Sequence, residues 1–172
     1  MAPVETIILA DYDGRWPVLY EREAGRIGAA LGDRVRRLEH VGSTSVPGLC
    51  AKPVIDILLA VADSADEPAY LPALEDAGYV LAIREPDWHE HRLLHGPGTP
   101  TNLHVFSAGS SEVERMLRFR DHLRTHTADR ELYAAAKLEL ATRPWPVVQD
   151  YADAKTDVVA AILARAMSRQ DR

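Results

Sequence analysis

The run His40-Val41-Gly42-Ser43-Thr44-Ser45-Val46-Pro47-Gly48-Leu49, continuing through Lys52-Pro53-Val54-Ile55-Asp56-Ile57-Leu58-Leu59, decides the reading of this chain. Val35 to Val41, with Arg and Glu interleaved, reads as a strand. Val54 to Ala62 is an almost unbroken apolar stretch rich in Val, Ile and Leu, the pattern of a central strand buried on both faces. Gly42 to Leu49 is the turn-rich connection between them. Asp56 stands out, because every neighbour is apolar and an ionised carboxylate buried without a partner costs several kcal/mol. Two solutions fit: a structural pair with Lys52, an Arg or loop N–H groups, or a strand-end position facing a cleft. Gly42-Ser43 after a strand favours the cleft, since glycine lets a phosphate approach the backbone and the hydroxyls of Ser43, Thr44 and Ser45 add donors.

Outward from this segment the periodicities alternate. Trp16, Leu19, Ile27 and Leu31 recur at helical spacing after Pro17, and Gly32 ends that helix. A helix is expected over Pro68 to Ala77, stopping at Gly78. Strands are expected near Tyr79 to Arg84, Glu90 to Leu94 and Asn102 to Ser107. Helices follow around Glu112 to Arg124, Asp129 to Thr142 and Gln149 to Met167, the last two separated by Pro144 and Pro146. This order gives one α/β (α+β) domain over residues 1–172, with a mixed sheet flanked by helices and a helical C-terminal part.

Bulk properties narrow the function classes. The chain has 172 residues, 47% of them apolar and 27% charged, which is ordinary globular composition. A formal net charge of −6 argues against a duplex-DNA partner, which requires a dense cationic face. It leaves room for a local cluster that grips a small anion. The single cysteine, Cys50, allows no intrachain disulfide and points to the cytoplasm. No stretch has the length needed to cross a bilayer, and the opening residues lack the pattern of a secretory leader.

The run Glu39 to Leu49 and its continuation Lys52 to Leu58 resemble the signature of the GrpB-like (UPF0157) family. Tyr12-Asp13 with Trp16-Pro17, Asn102-Leu103-His104-Val105, Arg118 to Arg124, Tyr133 with Lys137, and Tyr151 with Lys155 extend the resemblance over nearly the whole chain. It implies the polymerase-β-like nucleotidyltransferase fold. It also implies a nucleotide or other phosphate ligand, and a nucleotidyl group passed to an acceptor with Mg²⁺ or Mn²⁺. Gly42, Ser43, Thr44, Ser45 and Lys52 would bind phosphate, and Asp56, His104 and Glu39 would hold the cation. Asp56 and His104 would be the catalytic pair.

The sequence departs from the superfamily at one point. Two-metal transfer uses paired carboxylates, yet two residues either side of Asp56 stand Val54 and Leu58, and the later strand offers His104 instead of a carboxylate. A non-catalytic nucleotide-binding or regulatory module is therefore the alternative, with a transition-metal hydrolase built on Asp56 and histidines as a third reading. His89, His91 and His95 share strand parity and fall on one face if that segment is extended. Arg118, Arg120 and Arg124 read as a solvated helix face or a phosphate clamp. Lys137 and Lys155 read as surface residues. Trp16, Trp88 and Trp145 read as packing residues, with Trp88 as a possible platform for a base.

Overall fold

The structure, a computed structural model, describes residue 4 and residues 6–169. The chain's opening, where no leader is expected, lies partly outside them. Trp16–Leu31 forms α1, with a proline in its first turn and Gly32 just past its end at φ 58°. It buries Trp16, Glu23, Ile27 and Leu31, one residue per turn over its last three turns. Glu23 is tolerated there because the Tyr79 hydroxyl donates to it at 2.5 Å.

Five strands form one mixed sheet: β1 Arg37–Val41, β2 Ile55–Val61, β3 Val80–Glu85, β4 His91–His95 and β5 Thr101–Ser107. Their order is β1-β2-β5-β4-β3, with β2 and β5 parallel and the other pairs antiparallel. The apolar run after Lys52 is the strand flanked by β1 and β5, as its composition implies. Alternation divides its side chains. Ile55, Ile57, Leu59 and Val61 join Leu94, Leu103 and Val105 under α1 and the short helix α2 (Leu71–Asp76). Each such fully buried aliphatic side chain stabilises the fold by about 1.5–3 kcal/mol. Leu58 and Phe106 face the other way and pack on Val113 and Leu117 of α3 (Ser111–Thr125).

The remaining helices are α4 (Thr127–Ala141), α5 (Val148–Ala154) and α6 (Thr156–Ser168). Val46 and Leu49 of the turn-rich connection pack into a third cluster with Leu123, Tyr133 and Ile162, so the C-terminal helices hold that loop in place. Two expectations are corrected here. The helix anticipated over Gln149 to Met167 is broken at Lys155, where no glycine or proline announces a break. His89 is not in a strand: it lies in the β3–β4 turn at φ 53°, so His89, His91 and His95 do not share an extended face. His91 is buried and His95 exposed. Among the described residues no helix is long and apolar enough to cross a membrane.

Candidate functional site

The loop between β1 and β2 takes its shape from Gly42. Its φ of 72° with ψ of −175° belongs to a region that essentially only glycine occupies. A Cβ at this position would lie 2.6 Å from Asp56 Oδ2, so a side chain is barred by contact as well as by backbone angle. Ser43–Ser45 then close a 3₁₀ turn in which the Ser45 hydroxyl donates to the Gly42 carbonyl at 2.5 Å. Thr44 is buried and its Oγ1 lies 2.9 Å from His40 Nε2. Burial holds His40 down to about 4, with Arg124 and Arg120 adding to the effect and Asp56 opposing it, so the ring is neutral near pH 7.

Three basic side chains hold the loop from the helical side. Arg120 donates to the His40 carbonyl at 3.0 Å and to Glu39 at 2.7 Å. Arg124 donates to the Ser45 carbonyl at 2.9 Å. Lys137 on α4 donates to Ser43 Oγ at 2.7 Å and to the Cys50 carbonyl at 2.5 Å. The two arginines are thus neither a solvated stripe nor a ligand clamp; they bind the backbone that carries the hydroxyls. Lys137 is not at the surface, as its sequence context implies, but 2% exposed.

Ser43, Thr44, Lys52, Asp56, Asn102 and Lys137 line a polar pocket of about 180 Å³, which Tyr151 and Lys155 complete. Three ammonium groups therefore surround one carboxylate. Burial pushes Lys137 down to about 7 and Lys155 down to about 8; neighbouring lysines push the same way, and Asp56 resists in both cases. Lys155 is half-buried, again unlike a surface residue, and its Nζ sits 4.6 Å from the centre of the Tyr151 ring. Lys52 lies over the same ring at 5.9 Å. The Tyr151 hydroxyl is buried and has no hydrogen-bond partner among the described residues. Lysines outnumber the carboxylate in this cavity, which gives it a chemistry suited to an anion.

Asp56 is the strand-end residue of the second solution: its side chain is 29% exposed and opens to the pocket. His104, opposite Leu58 in the register, presents Nε2 to Asp56 Oδ1 at 3.2 Å. The third residue expected with them does not join: the Glu39 carboxylate is turned to Arg120 and Arg37. Among the described residues no group of three or more His, Cys, Asp or Glu side chains is placed to hold a metal ion. One carboxylate and one imidazole facing three ammonium groups do not fit Mg²⁺ or Mn²⁺, which require several oxygen ligands and a negative surround.

Of the residues anticipated for phosphate binding, Ser43, Thr44 and Lys52 line the pocket and Gly42 abuts Asp56, while Ser45 Oγ is used within the turn. The sequence reading missed Lys137, Lys155, Tyr151 and Asn102 as members of the pocket. A signal was present for three of them. Tyr133 with Lys137 and Tyr151 with Lys155 are both Tyr-x₃-Lys pairs, spacing that stacks the two side chains on one helix face.

Comparison with known proteins shows the family and agrees with the fold. Residues 6–165 match the family described as GrpB protein. The chain is 60% identical over 161 residues to a UPF0157 protein of Halalkalibacterium halodurans, covering 94% of this chain and 83% of that one. It is 51% identical over 158 residues to a UPF0157 protein of Streptomyces coelicolor, covering 92% and 83%. A dephospho-CoA kinase of Mycolicibacterium paratuberculosis is 32% identical over an alignment of 164 residues, covering 79% of this chain and 39% of the kinase. The crystal structure of conserved protein GrpB from Enterococcus faecalis superposes with a TM-score of 0.82 at 28% identity, covering 96% of this chain and all of that one. With a family match across nearly its whole length and relatives above half identity, this chain belongs to the GrpB (UPF0157) family.

Proposed function

We propose that this protein binds a phosphate-bearing small molecule of the nucleotide class, on a nucleotidyltransferase-like fold, and that lysines rather than a metal pair hold the phosphate. The observation that carries the reading is Lys137. Its ammonium is buried and meets only neutral acceptors, Ser43 Oγ and the Cys50 carbonyl, among the described residues. Burying a cation without a counter-charge costs several kcal/mol, and an arriving phosphate offsets that cost. Lys155, Lys52 and Tyr151 line the same space.

The volume supports a division of the ligand. About 180 Å³ holds a phosphate group but is smaller than the roughly 300 Å³ of a pocket enclosing a whole drug-sized ligand, so the nucleoside end lies outside it. The relatives named dephospho-CoA kinase, which share this region with part of their length, support a nucleotide-class ligand.

Thermal unfolding with inorganic phosphate, ATP, CTP, GTP and coenzyme A, each with and without Mg²⁺, Mn²⁺ or Zn²⁺, tests the proposal. The expected result is stabilisation by one or more of the phosphate compounds, independent of metal and lost in Lys137→Met. Stabilisation that requires a divalent cation returns the metal-dependent transfer reading. No response to any phosphate compound overturns the proposal.

A further inference from the structure

The pocket does not end at Asp56. Four side chains on one sheet face form a continuous hydrogen-bonded row across β2, β5, β4 and β3. Asp56 Oδ1 lies 3.2 Å from His104 Nε2, His104 Nδ1 lies 3.0 Å from His91 Nε2, and His91 Nδ1 lies 2.6 Å from Glu85 Oε2. The strand register puts them there. Leu58 opposes His104, His104 opposes Leu93, and Glu85 opposes His91, while alternation returns Asp56 and His91 to the same face. Asp56 lines the polar pocket; His104, His91 and Glu85 line a separate groove of about 1310 Å³ between the sheet and the helices α3, α5 and α6. The row is therefore a bridge between two cavities.

Its proton count follows from donor chemistry. An ionised carboxylate only accepts, so Asp56 takes the Nε2–H of His104 and Glu85 takes the Nδ1–H of His91. That leaves His104 Nδ1 and His91 Nε2 facing each other. Two neutral rings in these tautomers would oppose one lone pair to another, and a bond at 3.0 Å requires one more proton. The row thus holds three protons in three contacts, with one positive charge shared by the imidazole pair between two carboxylates. Protonating either carboxylate in place of the pair gives the same count with the protons displaced along the row.

We propose that Asp56, His104, His91 and Glu85 form a proton relay between the phosphate pocket and the groove, in which Asp56 accepts a proton from a group bound in the pocket and His104, His91 and Glu85 act through it. Moving each of the three protons across its own contact converts protonated Asp56 with ionised Glu85 into ionised Asp56 with protonated Glu85. One proton's charge crosses the sheet, the total stays at three, and no heavy atom changes its bonding. Glu85, with a side chain 45% exposed, exchanges with solvent. The inference rests on the pocket being a phosphate site, which gives the relay a reactant to serve.

The surroundings are of mixed sign. Burial pushes His91 down, Glu85 pushes it up, and His104 and Arg92 push it down again. His89 in the turn, Glu112, Arg115 and Arg118 from α3, and Asp153 from α5 line the same groove. Aromatic contacts hold the pair in place: His91 stacks on His104 at 5.3 Å and on Phe106 at 4.9 Å, with Trp88 edge-on at 5.1 Å.

The test is ¹⁵N NMR of the imidazole nitrogens in the ligand-free full chain, followed over pH. The expected result is His91 as the Nδ1–H tautomer, His104 with Nε2–H, and both rings losing one proton in a common step with the same midpoint. Glu85→Gln, which removes a charge that does not touch His104, shifts the ¹⁵N resonances of His104 as well as those of His91. In His91→Phe, the response of His104 to Glu85→Gln disappears. Two separate midpoints, or a His104 whose resonances do not respond to Glu85→Gln, overturn the relay. Because no ligand is used, failure of phosphate binding leaves this result intact, and loss of the shared proton leaves the phosphate reading intact.

Discussion

Asp56 Oδ2 lies 2.6 Å from the place a Cβ would occupy on Gly42, so the strand-end carboxylate and the turn glycine are packed against each other through the space a side chain would need. Gly42→Ala has two penalties: a backbone conformation at φ 72° that only glycine holds without strain, and a clash with the carboxylate. We expect a loss of about 1–3 kcal/mol from the backbone alone, with the clash added to it, read by urea unfolding. The double variant Gly42→Ala/Asp56→Ala relieves the clash and retains the backbone penalty, so it is expected to be more stable than Gly42→Ala.

Lys137 makes stability depend on pH in a direction opposite to that of most lysines that gain a counter-ion. Its folded pKa, about 7, lies below the ordinary lysine value of 10.5. Between those values the unfolded chain binds the proton and the folded chain does not, so stability rises with pH across that window. Below about pH 7 the buried ammonium is charged in both states, and the desolvation penalty is at its full size. Lys137→Met is therefore expected to gain stability relative to the parent at pH 6 and to lose much of that advantage by pH 10. Chemical unfolding of both proteins at the two pH values measures it.

The two halves of the loop differed in how far sequence could reveal them. Gly42-Ser43 and Asp56 are legible because their signals are local: a glycine after a strand, and one carboxylate in an apolar run. The pocket's cationic wall is not local. Lys137 meets Cys50 and Ser43 across 87 and 94 residues of chain, and only the packing of α4 on the loop brings them together. In sequence, a lysine one turn beyond a tyrosine on an amphipathic helix has the same pattern whether it faces water or a cavity. Arg120 and Arg124 show the same limit, since their partners are the backbone carbonyls of His40 and Ser45, which no pattern of residue types records. The Glu39 expectation failed for a related reason. Its place beside Asp56 was what the family resemblance implied, while the structure pairs it with Arg120.

His40 predicts the acid limb of the stability profile. It is 7% exposed, stacks on Tyr20 at 4.8 Å, and is held down to about 4 chiefly by burial. From the ordinary histidine value of 6.5 down to about 4 the unfolded state takes up a proton that the folded state refuses. Stability therefore falls with decreasing pH through this window, by up to about 1.4 kcal/mol per pH unit from this one group. His40→Gln keeps a donor for Thr44 and removes the titration, so the slope between pH 6.5 and pH 4 is expected to be shallower by that amount. An unchanged slope would assign the acid sensitivity to other groups.

Asp129 ties three helices together. It accepts from Arg165 Nη2 at 2.6 Å and from His122 Nε2 at 2.6 Å, joining α4 to α6 and α3. Arg165 first, with His122 behind it, pulls the carboxyl down to about 2 against the opposing effect of burial. The contribution of these contacts is present above the ordinary aspartate value of 3.8 and is lost as pH falls towards 2. Asp129→Asn is expected to lower stability by about 1.5–3 kcal/mol near pH 7, the range for hydrogen bonds to charged groups. The deficit narrows below pH 3, a change that thermal unfolding at the two pH values resolves.

The same lysines give the phosphate proposal a pH signature that surface attraction lacks. In the free protein Lys137 and Lys155 lose their protons at about 7 and about 8. A bound phosphate favours the charged form of both, raising their pKa values and drawing protons from solution as it binds. Affinity is therefore greatest below pH 7. It falls above that value by up to about tenfold per pH unit for each lysine that must be reprotonated, until the raised pKa of the complex is passed. Calorimetry in buffers of different ionisation enthalpy counts those protons directly: uptake is expected at pH 8, and less at pH 6. Lys155→Met removes its share of the uptake while leaving that of Lys137. Binding that is flat from pH 6 to pH 9, with no proton taken up, would place the anion on exposed cations and not among these three lysines.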